Sequence, residues 1–187
     1  MTDVLKPRDG KEVEEAVRWA LANEKALEVV GQGTKRAIGR PSQTDITLDL
    51  SGLTGVTLYE PAELVLSARA GTPLAEIEAL LDKNAQQFGF EPVDYGALFG
   101  SKVGAGTIGG VIAANLSGPR RIKAGAARDH FLGVTAVTGR GETIKSGGRV
   151  VKNVTGYDLL QPLVDVLGLE RRRNDFTDST RQLGRET

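Results

Sequence analysis

The chain has 187 residues, 40% of them hydrophobic, with 24 Lys plus Arg against 24 Asp plus Glu. That charge balance argues against a chain that coats nucleic acid, because neutralising phosphates takes a basic surface. The absence of cysteine excludes a disulfide framework, a thiolate zinc site and an iron–sulfur cluster carried by this chain.

The N-terminal run MTDVLKPRDGKEVEEAV is polar and has no apolar h-region, so no signal peptide is expected. Residues 9–23 carry Val13, Ala16, Val17, Ala20 and Leu21 on one helical stripe, with Asp9 or Gly10 as cap. Residues 26–30 form a short apolar strand that runs into the loop Gly31-Gln32-Gly33-Thr34-Lys35-Arg36. Residues 46–50 and 56–59 read as strands. Residues 63–70 read as a clearer one, with Leu64, Leu66, Ala68 and Ala70 on one face. Gly71-Thr72-Pro73 then starts a helix, with Thr72 as N-cap and a buried stripe of Leu74, Ile77, Leu80 and Leu81. Residues 107–115 (TIGGVIAAN) predict a short helix of small residues. Residues 131–138 and 142–144 flank Gly139-Arg140-Gly141 as a hairpin. The longest apolar runs, such as 109–116, are far too short to span a membrane, so the cytoplasm is the expected location. Strands and helices do not alternate regularly, and the fold class expected is α+β.

Glycine is clustered, which marks places where the backbone turns sharply or approaches something closely. Three constellations stand out. In VVGQGTKR (29–36) a strand delivers a Gly-x-Gly-Thr turn, whose successive N–H groups can cradle phosphate oxygens or simply turn the chain. In GAGTIGGVIAANLSGPRR (104–121), Gly106, Gly109 and Gly110 can expose amides at a helix start, or can serve tight helix packing. In VVKNVTGYDL (150–159), Lys152, Asn153, Tyr157 and Asp158 surround Gly156, as a binding loop or a surface loop.

Six blocks in this order resemble the FAD-binding domain of the vanillyl-alcohol-oxidase-type flavoproteins: VVGQGTKRAIGRP, LDLSGLTGV, YEPAELVLSARAGTPLAEIEALL, TIGGVIAANLSGPRR, ARDHFLGVTAVTGRGE and KNVTGYDL. The resemblance is closest to members that oxidise 2-hydroxy acids of the glycolate and D-lactate type, and it covers about residues 16–159. It implies two α+β lobes with FAD between them. The pyrophosphate would lie against Gly31, Gln32, Gly33, Thr34 and Lys35, and against Gly106, Thr107, Gly109 and Gly110. The segment holding Asn115, Ser117, Gly118, Arg128 and Asp129 would line the flavin side. Some relatives attach FAD through a histidine in the first loop. None is present there, so the flavin is expected to be noncovalent, and the single histidine, His130, is read as structural.

The resemblance further implies an oxidoreductase subunit acting on a small 2-hydroxy acid. Its partners would be a second flavin subunit and an iron–sulfur subunit, which could hold it at the periphery of the inner membrane. After residue 159 the family continues with a Gly-Ser-x-Gly-Thr-Leu-Gly stretch that is missing here. The expectation is therefore an FAD-binding domain over residues 1–160 without its last strands and substrate cap. A non-matching tail over 161–187, disordered from Gly168 onward, would mark a frame change or premature end and leave a truncated non-catalytic fragment or an assembly piece of that complex as the alternative.

Overall fold

The computed structural model describes residues 3–40 and 43–147, and the backbone of 164–171. The chain opens with β1 (Asp3–Leu5), α1 (Gly10–Ala22), β2 (Leu27–Val30) and β3 (Ile46–Asp49). Among the described residues these strands form a parallel sheet in the order β1-β3-β2. Helix α1 starts where expected. Asp9 is extended, and its carboxylate accepts the backbone N–H groups of Lys11 and Glu12 at 2.9 and 3.0 Å. Those donors would otherwise face water without a fixed partner. Asp9→Ala should cost about 1 kcal/mol. That is a fall of about 2–4 °C in the thermal unfolding midpoint for a chain of this size.

One face of α1 meets the parallel sheet. Val13, Leu48, Leu50 and Leu53 are buried together, with Ala16, Val17 and Leu27 packed against them. Leu21 leaves this stripe and is 60% exposed.

The second lobe follows with β4 (Val56–Glu60), β5 (Val65–Ala68), α2 (Leu74–Asp82), β6 (Gln86–Phe88), α3 (Ile108–Ala114), α4 (Arg121–Ala124), β7 (Phe131–Val137), β8 (Thr143–Gly147) and β9 (Val164–Arg171). The sheet runs β4-β5-β9-β7-β8, with β6 also pairing with β9, and its pairings are antiparallel. Helices α2 and α3 bury Ile77, Leu81, Ile108 and Val111 against Leu66, Phe88 and Phe90. The β7–β8 hairpin forms around residues 139–141 as its glycines predict, and reaches the first lobe, where Thr143 hydrogen-bonds Glu14. A parallel sheet and an antiparallel sheet with helices packed beside them make this the α+β fold expected.

Four details differ from the sequence reading. Thr72 does not cap α2. The N-cap is Pro73, without a side-chain bond, while the Thr72 hydroxyl donates to the Arg69 carbonyl at 2.7 Å and accepts from Gly55 N–H at 2.9 Å. It ties two loops together. Strand β5 is buried on both faces instead of one: Leu66 and Ala68 lie in the core with α2 and α3, and Val65 and Ser67 on the opposite face are buried as well. Strands β1 and β6 are three residues each, too short for a period to show. Finally, Gly168 to Arg171, expected at the head of a disordered tail, belong to β9, which lies between β5 and β7. The sheet therefore extends past the expected boundary at residue 160. Residues 172–187 lie outside the described residues, as do Lys152, Asn153, Tyr157 and Asp158 of the third constellation.

Candidate functional site

The end of β2 and the start of α3 meet at one cleft. Gly31, the first residue after β2, lies against Thr107, so that a Cβ on Gly31 would come within 2.5 Å of the Thr107 hydroxyl oxygen. Only a residue without a side chain permits that approach. Gly33 has φ +68°, and its carbonyl accepts the N–H of Arg36 at 3.1 Å, which curls the loop back on itself. The cleft has a volume of about 400 Å³. Gln32, Gly33, Thr34 and Lys35 line one wall, and Thr107, Gly110, Ala113 and Ala114 line the other.

Helix α3 presents its opening turn here. Thr107 is its N-cap, and the hydroxyl accepts the Gly110 N–H at 3.3 Å. A Cβ on Gly110 would lie 3.2 Å from the Thr107 hydroxyl oxygen and 3.6 Å from Lys35 Nζ, so the ammonium sits over a floor with no side chain. Burial strips water from Lys35 and holds its pKa below the usual lysine value, an effect that the Asp94 carboxylate partly opposes. Asp94 itself is kept below the ordinary carboxylate range, chiefly by the N–H groups of Gly104 and Gly96, which it accepts at 2.8 and 2.9 Å. No salt bridge to Lys35 occurs among the described residues. A partly dehydrated cation over a bare backbone floor suits an anionic group with several oxygens, as a pyrophosphate has.

The remaining expected contacts sort differently. Gly109 does not face the cleft. Its N–H donates to the Ala70 carbonyl at 2.9 Å, and a Cβ would lie 2.8 Å from Ala70 Cβ and from that oxygen. The glycine lets α3 pack tightly on the chain after β5. Gly106 lies beside α2, its carbonyl accepting the Leu74 N–H at 2.8 Å, and a Cβ there would meet only Leu74 Cδ1 at 3.4 Å.

Asn115, Ser117, Gly118, Arg128 and Asp129 gather in a separate bend. Asn115 Oδ1 accepts Arg128 N–H at 3.3 Å, Ser117 Oγ accepts Ala127 N–H at 2.9 Å, and Asp129 accepts Ala126 N–H at 2.7 Å. Gly118 donates to the Glu91 carbonyl at 2.8 Å. None of the five lines the cleft. His130 lies in the same bend with Nε2 2.6 Å from the Ala124 carbonyl oxygen, and a Cβ on Gly89 would overlap its ring.

Sequence reading missed Glu28 and Arg36 as a pair. Arg36 Nε donates to Glu28 Oε1 at 2.9 Å, and both residues line the cleft. The visible signal was a glutamate interrupting the apolar run LEVV.

A family model described as FAD binding domain matches residues 2–147. The chain is 41% identical to glycolate oxidase subunit GlcE of Escherichia coli K12, over 82% of this chain and 42% of that protein. It is 33% identical to a D-2-hydroxyglutarate dehydrogenase of Xanthomonas citri, over 81% of this chain and 31% of the other. With a D-lactate dehydrogenase of Archaeoglobus fulgidus the identity is 31%, over 86% and 34%. The solved structure of an alkyldihydroxyacetonephosphate synthase shares the fold, with a TM-score of 0.70 over 90% of this chain and 31% of that one, at 19% identity. The chain thus spans less than half the length of each of these proteins.

Proposed function

The chain belongs to the FAD binding domain family, and from that premise we propose that it is the FAD-binding part of a flavin-dependent oxidoreductase subunit acting on a small 2-hydroxy acid of the glycolate or D-lactate type. The observation that carries the proposal is the cleft, where the Gly31–Lys35 loop and the first turn of α3 converge around one partly dehydrated ammonium. The choice of substrate class rests on the glycolate oxidase, D-2-hydroxyglutarate dehydrogenase and D-lactate dehydrogenase relatives.

The residues present fit the cofactor's pyrophosphate. Lys35 would supply the charge, the loop backbone and Thr107 would orient the oxygens, and Gly110 would leave them room. Asn115, Ser117, Gly118, Arg128 and Asp129 would act at one remove, by holding the bend between α3 and β7 at the flavin side. Bound FAD supplies a two-electron acceptor, the chemistry that oxidation of a 2-hydroxy acid to a 2-oxo acid requires.

Two relatives carry the word subunit in their names. Partner subunits are therefore part of this reading, one with a second flavin and one with an iron–sulfur cluster to receive the electrons. Among the described residues no helix is long and apolar enough to cross a membrane. A cytoplasmic location, with attachment to the inner membrane through partners, fits the reading.

The purified chain titrated with FAD should shift and sharpen the visible flavin absorption bands. Acid precipitation should then leave the colour in the supernatant, because the loop at 31–36 has no histidine to form a covalent link. Unchanged bands at saturating FAD would refute the cofactor assignment, and colour in the pellet would refute noncovalent attachment.

A further inference from the structure

The glycine loop that delivers Lys35 to the cleft carries a second cation beside it. Arg36 does not point its charge at open space. Its Nε donates to Glu28 Oε1 at 2.9 Å, and its Nη2 donates to Glu28 Oε2 and, at 3.2 Å, to Thr47 Oγ1. The Thr47 hydroxyl donates in turn to Glu28 Oε2 at 3.4 Å. A loop, β2 and β3 are thereby joined through one guanidinium fork, whose planar geometry matches a carboxylate.

Glu28 poses an electrostatic problem for an anion site. Its side chain is 24% exposed and lines the same cleft as Lys35 and Gly110. Left alone, it would oppose any phosphate entering there. The Arg36 hydrogen bonds hold the Glu28 carboxyl below its usual range, so protonation does not relieve the conflict near neutral pH.

We propose that Arg36 is a positioning residue that cancels the charge of Glu28 at the edge of the cleft, so that the cofactor's pyrophosphate meets a neutral pair and Lys35 acts as the working cation. This rests on the reading that the cleft holds the FAD pyrophosphate. It differs from two other roles for the same fork. A plain structural brace would make both partners equally necessary. A direct phosphate ligand would make Arg36 necessary whatever stands at residue 28.

The test compares the whole wild-type chain with Arg36→Gln, Glu28→Gln, the double variant and Arg36→Lys. FAD dissociation constants are read from flavin fluorescence, at low and high salt, and thermal unfolding checks each protein. The charge of the pair is zero in the wild type, −1 in Arg36→Gln, +1 in Glu28→Gln and zero again in the double variant. Arg36→Gln should bind FAD about tenfold more weakly, the scale of one unit charge set against an anion in a half-exposed cleft. Glu28→Gln should bind more tightly than wild type, and the double variant should return close to wild type. Arg36→Lys, which keeps the charge and loses the fork, should stay near wild type. High salt should compress all these differences.

Weaker binding by Glu28→Gln, or a double variant no better than Arg36→Gln, overturns the proposal. Should Arg36→Gln fail to fold, Glu28→Gln and Arg36→Lys still decide, because a brace predicts that both bind worse. A wild-type chain that binds no FAD overturns the function proposed above, and this inference with it. Wild-type binding with the wrong order of variants overturns this inference alone.

Discussion

Gly109→Asp should unfold the second lobe, or lower its thermal unfolding midpoint by about 10 °C or more, with no FAD in the sample. The argument is steric first. Any Cβ at this position would lie 2.8 Å from the Ala70 carbonyl oxygen and 3.0 Å from its Cα. Those are backbone atoms and have no rotamer to retreat into. Residue 109 is buried, and its neighbours on α3, Ile108 and Val111, are fully buried. Overpacking of a filled core costs about 1–3 kcal/mol, and an unpaired buried carboxylate adds several more. The sum approaches the roughly 5–15 kcal/mol that holds a domain together. Gly110→Ala is the matched control. Its Cβ would meet only Thr107 Oγ1 at 3.2 Å and Lys35 Nζ at 3.6 Å, on the cleft side. It should melt near wild type and bind FAD more weakly. A Gly109→Asp chain that melts like wild type would show that α3 does not pack on Ala70 as described.

Lys35→Met should weaken FAD binding by about 10–100-fold. A charge-assisted hydrogen bond contributes about 1.5–3 kcal/mol, and each 1.4 kcal/mol is a factor of ten. The same ammonium gives a pH signature. Burial lowers the Lys35 pKa in the free protein below the usual lysine value. A bound pyrophosphate favours the charged form and raises it. Affinity is therefore full below the free-protein pKa and declines as pH rises through it, beginning at a lower pH than an exposed lysine would give. The methionine variant should lose this alkaline decline while melting no lower than wild type, because it removes a dehydrated charge. Isothermal titration at several pH values reads both effects. A methionine variant with wild-type affinity, or one that keeps the alkaline decline, would exclude Lys35 from the site.

Much of the fold was legible because its elements carry local signals. Helix α1 announces itself through Asp9 and a 3.6-residue stripe, and the β7–β8 hairpin through Gly139 and Gly141. The first glycine loop was legible as a tight turn because Gly31 and Gly33 each answer a local need there. The second was only half legible. Glycine shows that something comes close, but not whether it is a ligand or Ala70, and for Gly109 it is Ala70. The Arg36–Glu28–Thr47 fork was invisible because its members are 8 and 11 residues apart along the chain and meet only once the loop has curled. Strand β9 was misread from composition. Its place is set by the open edges of β5, β6 and β7, and strand propensity yields to such context.

The position of β9 also orders the events of folding. It pairs with three strands, and all three precede it in the chain. As the polypeptide leaves the ribosome, the β4–β5 and β7–β8 hairpins can each close locally, but among the described residues no strand pairing joins them until Gly168 has emerged. During that interval β5 and β7 each expose an unpaired edge, the kind of surface that recruits strands from other nascent chains. Closing the sheet then joins residues about 100 positions apart, Val65 with Gly168, a slow non-local step. The second lobe should therefore gain its cooperativity late and all at once, and holdase chaperones acting on the nascent chain should matter most just before β9 is released.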